Sequence, residues 1–274
     1  MTIAITGASG HVGGRAARLL GPAADVLVLR DPARAPRIDG DPEVRVGTYG
    51  EAEPALFAGV DVLLLVSGAE SRTRLEEHRR AVRAAAEAGV RHVVYTSFDG
   101  AAPDADFTLG RDHFHTEQAI REAGLAFTFL RDSFYSDFFP LFADDEGVIR
   151  GPADSGAVAA VARDDVADVA AAVLRDPQRW AGETLVLTGP EALTFADATA
   201  RMTAALGRPY SYVEETLDEA YASRRPLCDQ QWQLDAWVST YTAIGSGRLA
   251  RVSDDVTRVT GKPARTLEQA LAGA

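Results

Sequence analysis

The sequence predicts an α/β protein, a doubly wound parallel sheet with a smaller C-terminal lobe. Three observations lead there. Short apolar runs alternate with amphipathic segments from residue 2 onward, an order that builds a parallel sheet with helices on both faces. The runs are continuously apolar, as strands covered on both faces require. A glycine-rich turn separates the first run from the first amphipathic segment.

In chain order, strands are expected at 3–6, 25–30, 44–47, 60–67, 92–97 and 126–131. Helices are expected between them at 12–20, 52–57, 72–88 and 111–123. In the first of these, Val12, Ala16, Leu19 and Leu20 make one stripe at a helical period. Residues 1–131 thus form the expected nucleotide-binding core. The next stretch, 132–155, is aromatic and turn-rich and reads as irregular. A strand at 157–162, a helix at 165–174 and a strand at 184–188 return the chain, over 157–190, to the same sheet. Thr194-x-x-Asp197 opens a helix to about Leu206 with capping-box spacing, Asp standing for the usual Glu. Thr266-x-x-Gln269 opens the last helix. Residues 132–156 and 191–274 then constitute a smaller substrate-binding lobe, with a cleft between it and the core.

Composition narrows the class. The 274 residues are 46% hydrophobic and 25% charged, enough for a large core and unlike a disordered or collagenous chain. No apolar run approaches the ~18 residues of a membrane helix. The first strand begins at residue 2 with no basic segment before it, so no signal peptide is expected. Lys and Arg number 28 against 40 Asp and Glu, a net charge of −12, which argues against a phosphate-backbone binder. One cysteine, Cys228, cannot close an intrachain disulfide and reads as a buried thiol. A cytoplasmic protein, acting on neither nucleic acid nor membrane, is the expectation. The five histidines show no metal-ligand spacing with carboxylates or Cys228, so no metal site is expected.

The strongest motif is Thr6-Gly7-Ala8-Ser9-Gly10-His11-Val12-Gly13-Gly14. Gly7-x-x-Gly10-x-x-Gly13 lies where a first strand turns into a first helix. Gly7 permits the tight turn, Gly10 lets backbone N–H groups reach a pyrophosphate, and Gly13 lets helix and strand pack closely. Gly7, Ser9, Gly10, His11, Val12 and Gly13 are the expected pyrophosphate-binding residues of a Rossmann dinucleotide site. The second strand ends in Arg30, twenty residues past Gly10, with Arg34 and Arg37 following. A guanidinium there suits a 2′-phosphate, so NADPH is expected rather than NADH. Asp31 is expected to cap the turn instead.

Several further motifs carry a family resemblance: TGASGHVG at 6–13, LVLRDPARA at 27–35, LLLVSGAES at 63–71, VVYTSF at 93–98, HxxTE at 113–117, LRDSFYSDFF at 130–139 and ARDDVADV at 162–169. Over about residues 2–190 the chain resembles the NmrA-like atypical short-chain dehydrogenase/reductases. It is most similar there to bacterial NADPH-dependent quinone oxidoreductases. The resemblance implies hydride transfer from NADPH to a quinone-like or aromatic acceptor, a secondary-metabolite tailoring reductase being one variant. It also allows a homodimer, and a non-catalytic NADP(H)-sensing regulator as a second class. An epimerase of the extended short-chain type is a weaker third. Most short-chain dehydrogenases place Tyr-x-x-x-Lys on the helix after the fifth strand, yet the single lysine here is Lys262. His113 and Glu117 occupy that helix instead.

Residues that follow strands are candidates for the cleft. Ser67 and Gly68 either border a ribose or form a simple turn. The resemblance sets Ser97 close to the reacting ring and folds the segment after Leu130-Arg131 over the nicotinamide. Ser97, His113 and Tyr135 are the catalytic candidates, His113 as a ribose ligand or proton donor. Phe134, Tyr135 and Phe138 are the substrate-binding candidates, although the 134/138 and 135/139 spacings equally fit a helical core face. Trp232 and Trp237 either roof the pocket or pack it.

Overall fold

The computed structural model describes residues 1–273. The chain runs β1 (Ile3–Thr6), α1 (His11–Leu20), β2 (Val26–Leu29), β3 (Glu43–Val46), β4 (Val62–Leu65), α2 (Arg74–Glu87), β5 (His92–Phe98), α3 (Thr108–Glu122), β6 (Ala126–Asp132), β7 (Val148–Gly151), β8 (Ala157–Val158), α4 (Arg163–Arg175), β9 (Thr184–Leu187), β10 (Leu193–Thr194), α5 (Phe195–Leu206), β11 (Ser211–Glu214), α6 (Leu217–Arg224), α7 (Gln231–Gly245), α8 (Asp255–Thr260) and α9 (Leu267–Ala272). Seven strands form one sheet in the order β3-β2-β1-β4-β5-β6-β9. Every pairing in it is parallel. The order reverses between β1 and β4, where such sheets open a crevice at their carboxyl ends.

The inner strands are largely apolar because their two faces feed two cores; the edge strand β3 (Glu43–Val46), expected to be apolar, is half charged and mostly exposed. Ile3, Ile5, Leu27, Leu29, Leu64 and Leu130 pack under α1 and α4. Ala4, Val28, Leu63, Leu65, Val93 and Phe129 pack under α2. A third core outside the sheet gathers Phe139, Ile149, Phe195, Met202, Tyr241 and Ile244. Among the described residues no helix is long and apolar enough to cross a membrane.

Four further expectations are corrected. The run at 52–57 is no α-helix but a 3-10 turn over Pro54–Phe57, since four residues between Pro54 and the positive-φ Gly59 leave no room for α-helical bonds. The run at 157–162 does not rejoin the sheet. Only Ala157–Val158 is a strand, paired antiparallel with Leu193–Thr194. Ala159 and Val161 instead donate their N–H groups to the Leu249 and Phe134 carbonyls, so the run is apolar because it is buried between loops. The stretch 132–155 also contains regular structure, a 3-10 helix (Ser136–Phe142) and β7, which pairs parallel with β11. Cys228 is half-buried rather than buried.

A close backbone contact joins α1 to β1. A Cβ at Gly13 would stand 2.6 Å from the Gly7 carbonyl oxygen and 2.8 Å from that of Thr6. Those neighbours are backbone and cannot step aside. Gly13→Val is expected to cost about 1–3 kcal/mol in thermal unfolding. Gly50→Ala, whose Cβ would meet only the flexible Glu77 side chain at 3.5 Å, is expected to stay within about 0.5 kcal/mol of wild type.

Candidate functional site

The glycine turn leaves a helix end unfilled. Gly7 sits at φ +61°, and its carbonyl accepts the Gly10 N–H at 2.9 Å. Gly10 is the N-cap of α1; no side chain caps the helix there and no acidic residue occupies its first turn. Its first N–H groups and positive dipole end are therefore available to an anion. Val12 is buried in the core, so it can contribute only backbone. The His11 ring turns away, its Nε2 2.8 Å from Asp164 Oδ1. Ser9 is half-buried beside Gly10. Beneath the turn, Thr6 Oγ1 donates to the Leu64 carbonyl at 2.9 Å and accepts the Val66 N–H at 2.9 Å. The Tyr49 hydroxyl donates to the Val66 carbonyl at 2.6 Å. β1 and β4 are thus locked together where the strand order reverses.

Arg30 stands one residue beyond β2 and is exposed, as are Arg34 and Arg37. Among the described residues none of the three forms an ion pair, whereas Asp31 accepts the Ala33 N–H at 3.0 Å, as a turn cap. The three guanidiniums are exposed to solvent in a loop that also carries Asp31, Asp39 and Asp41.

Beyond the carboxyl ends of β4, β5 and β6 lies a cavity of about 780 Å³. Ser67, Gly68, Ser97, His113, Phe134, Tyr135 and Phe138 all line it, and Trp237 lies on its far wall. Gly7 to Gly13 and Arg30 do not line it. Phe139 is 1% exposed and packs on Phe195 in the third core, while the Trp232 indole donates to the Gln230 side chain at 2.8 Å. The 3-10 geometry of Ser136–Phe142 separates these aromatics differently from the helical face the spacing suggested.

The polar groups behind this wall are joined to one another. Ser97 Oγ donates to Glu117 Oε1 at 2.6 Å. Arg131 grips the same buried carboxylate with Nε and Nη2 at 2.9 and 2.7 Å. The Arg74 guanidinium, 4% exposed, donates from Nε to the Gly68 carbonyl at 2.9 Å and from Nη1 to Asp112 at 3.2 Å. Its Nη2 lies 2.9 Å from His113 Nε2. A guanidinium can only donate, so His113 Nε2 carries the lone pair and its Nδ1–H donates to the Tyr95 hydroxyl at 3.0 Å. Burial first, and Arg74 second, hold His113 well below the usual imidazole range. Both ring nitrogens are engaged within the protein and the ring is neutral, which leaves it neither a free ribose ligand nor an imidazolium acid in this arrangement. The Gly68 N–H donates to His78 Nε2 at 2.8 Å, and His78 Nδ1–H donates to Thr116 Oγ1 at 3.0 Å. Thr116 in turn donates to the Asp112 carbonyl at 2.7 Å.

Arg74, His78, Tyr95, Asp112 and Asp132 were not singled out from the sequence. One signal was present. Arg74, His78, Val82 and Ala85 share the buried face of α2, so an arginine and a histidine occupy its apolar stripe at i and i+4.

The neutral state of His78 makes stability pH-dependent. Burial, then Arg74, pushes its pKa down to about 3, from 6.5 in an unfolded chain. Its contribution is whole above 6.5 and is lost as pH falls from there toward 3, at up to about 1.4 kcal/mol per pH unit. His78→Gln is expected to flatten the decline of the urea midpoint across that window. Equal slopes in the two proteins would place the titrating group elsewhere.

Comparison with known proteins accords with this geometry. A family model described as NAD(P)H-binding matches residues 7–177. The chain is 30% identical to an NAD(P)H azoreductase of Xenophilus azovorans, over 97% of this chain and 96% of that one. It is 33% identical to a (4-alkanoyl-5-oxo-2,5-dihydrofuran-3-yl)methyl phosphate reductase of Streptomyces griseus, over 96% and 94%. An NADPH-dependent quinone oxidoreductase of Escherichia coli, solved with NADPH, superposes with a TM-score of 0.87 at 27% identity, covering 99% of both chains. The chain belongs to the NAD(P)H-binding family and is an NAD(P)H-dependent oxidoreductase.

Proposed function

We propose that this oxidoreductase reduces flat, electron-poor conjugated acceptors, quinones foremost, at the expense of NADPH. The observation that carries the reading is the character of the cavity wall. Phe98, Phe107, Phe134, Phe138, Phe142 and Trp237 supply aromatic faces for a planar ring. Arg74, Arg150 and Arg224 also line the cavity, but each is paired with a carboxylate, Asp112, Asp144 and Glu215 respectively. The wall therefore presents little net charge and favours a neutral aromatic guest. The azoreductase and quinone oxidoreductase names of the relatives support the same class of acceptor.

The residues fit the dinucleotide on structural grounds. The turn from Gly7 to Gly13 offers uncapped N–H donors to the diphosphate, and a side chain at Gly13 would fill the space that lets α1 approach. Arg30 would hold the 2′-phosphate, and Ser67 and Gly68 would border a ribose. When bound, the nicotinamide supplies the hydride. The chain's own groups bind and orient the two rings, with Ser97 fixed by Glu117 and Tyr135 within the wall. The segments after β6 and after β9 would form the lobe that covers the acceptor. No lysine lines the cavity and His113 is neutral, so no strong acid waits for an alkoxide. A quinone needs least help of that kind, because its reduced oxygens are weakly basic. We further infer a cytoplasmic enzyme, with a homodimer as its assembly.

The test follows NADPH absorbance in the presence of a panel of simple quinones. Turnover that Gly10→Asp abolishes is the expected result. Tight NADPH binding with no turnover across the panel would instead support a dinucleotide sensor. For the cofactor, Arg30→Ala is expected to weaken NADPH about 10- to 100-fold, the loss of one charge-assisted phosphate contact. NADH should change by less than about twofold; equal losses by calorimetry would remove Arg30 from the phosphate site.

A further inference from the structure

Asp132 closes β6 on the cavity wall, at the carboxyl end of the sheet. It is 2% exposed. Its Oδ2 accepts a hydrogen bond from the Tyr135 hydroxyl at 2.9 Å, while its Oδ1 is buried and, among the described residues, has no partner. The arginines near it are committed elsewhere. Arg131 points to the opposite face of the strand and holds Glu117, and Arg163 is hydrogen-bonded to Asp137. A buried carboxylate with no cation and one unpartnered oxygen is costly; a neutral carboxylic acid at the same place costs far less. Burial accordingly pushes Asp132 well above the usual carboxylate range, and burial together with Asp132 keeps the Tyr135 phenol protonated.

We propose that Asp132 supplies, through the Tyr135 hydroxyl, the proton that the reduced acceptor takes up. The proposal rests on the quinone-reductase reading and adds the proton source that the missing lysine leaves open. With the carboxyl neutral, the Asp132–Tyr135 hydrogen bond can run from acid to phenol, which frees the phenolic O–H for a guest. The acceptor gains a hydrogen and its electron pair as hydride from the reduced nicotinamide, whose C–H bond breaks as that ring is oxidised. Electron density displaced onto the acceptor oxygen takes the Tyr135 proton; Tyr135 regains one from Asp132, and Asp132 regains one from water. The product is a hydroquinone, and atoms and charge balance. Asp132 is thus a positioning and proton-supplying residue that acts through Tyr135, the group that meets the acceptor.

Infrared difference spectra of the unliganded protein test the first half. Wild type minus Asp132→Asn should contain a protonated-carboxyl band at neutral pH, and its absence overturns the proposal. Kinetics test the second half. Asp132→Asn should bind NADPH within about twofold of wild type by cofactor fluorescence, while kcat with a quinone falls about 10²-fold. Asp132→Ala should recover rate as formate buffer is added. Asp132→Asn, whose side chain fills the space, should not, and neither should Tyr135→Phe. A merely structural role predicts no rescue by a small acid, so absent rescue, or an undiminished kcat in Asp132→Asn, overturns proton supply alone. A wild type inactive with every acceptor overturns the quinone-reductase reading itself and the proton route with it.

Discussion

The contact on which the rest depends is the seat of α1 against the end of β1. It exists because Gly13 has no side chain to strike the Thr6 and Gly7 carbonyls. That approach brings an uncapped helix end, with its unshared N–H groups and partial positive charge, to the point where the strand order reverses. The neighbours reinforce the placement. Arg15 of α1 bridges to Asp164 and Asp168 of α4 at 3.2 and 2.9 Å. Arg265, near the C-terminus, grips the same helix through Asp165 and Asp168. The glycine turn is therefore held from both sides, by Thr6 and Tyr49 below it and by α4 beside it. The phosphate-binding role proposed for this loop needs such support, because its donors serve a ligand only when they are already aimed.

The second organising feature is a buried polar layer between α2, α3 and the sheet. Arg74 carries a full charge into the interior and is stabilised there by a carbonyl, a carboxylate and an imidazole. The cost of burying the guanidinium is offset only while all three partners stay in place. The consequence reaches the cavity. Arg74 fixes the tautomer of His113 and holds the Gly68 carbonyl, while His78 accepts the Gly68 N–H. The turn after β4 is thereby fastened through both of its peptide groups by one helix. Where a typical short-chain dehydrogenase sets a lysine to tune a tyrosine, this chain spends its buried charge on shaping the wall.

The sheet and the glycine turn were legible in the sequence because their causes are local. Continuous apolar runs, helical stripes and glycines between them each act within a few residues. The apolar run at 157–162 misled for the same reason: burial between loops and burial in a sheet demand the same side chains, and only distant partners such as Leu249 decide between them. The polar layer was illegible for a related cause. An arginine or histidine on a helix ordinarily faces water, and the groups that make Arg74 an exception lie 38 and 39 residues away. Ser97, Phe134 and Tyr135 reach the cavity as strand ends in this fold should, whereas Phe139 could be told from Phe138 only once the 3-10 path was known. Asp132 carried no signal beyond its place at a strand end.

Charge pairing gives the cavity its chemical character. Arg74, Arg150 and Arg224 line it and would together make a strong anion site, yet Asp112, Asp144 and Glu215 offset them one by one. The guanidinium of Arg224 also lies 4.9 Å from the Tyr241 ring centroid, so even its face is covered by an aromatic. A guest meets ring surface, the hydroxyls of Ser97 and Tyr135, and Asp132, one of whose oxygens lacks a partner among the described residues. Such a wall stabilises developing charge weakly. On the proposed function it would suit acceptors that delocalise the incoming electron pair themselves and would discriminate against simple ketones, whose alkoxide would need a strong acid at once. Selectivity in this reading comes from what the site withholds as much as from what it supplies.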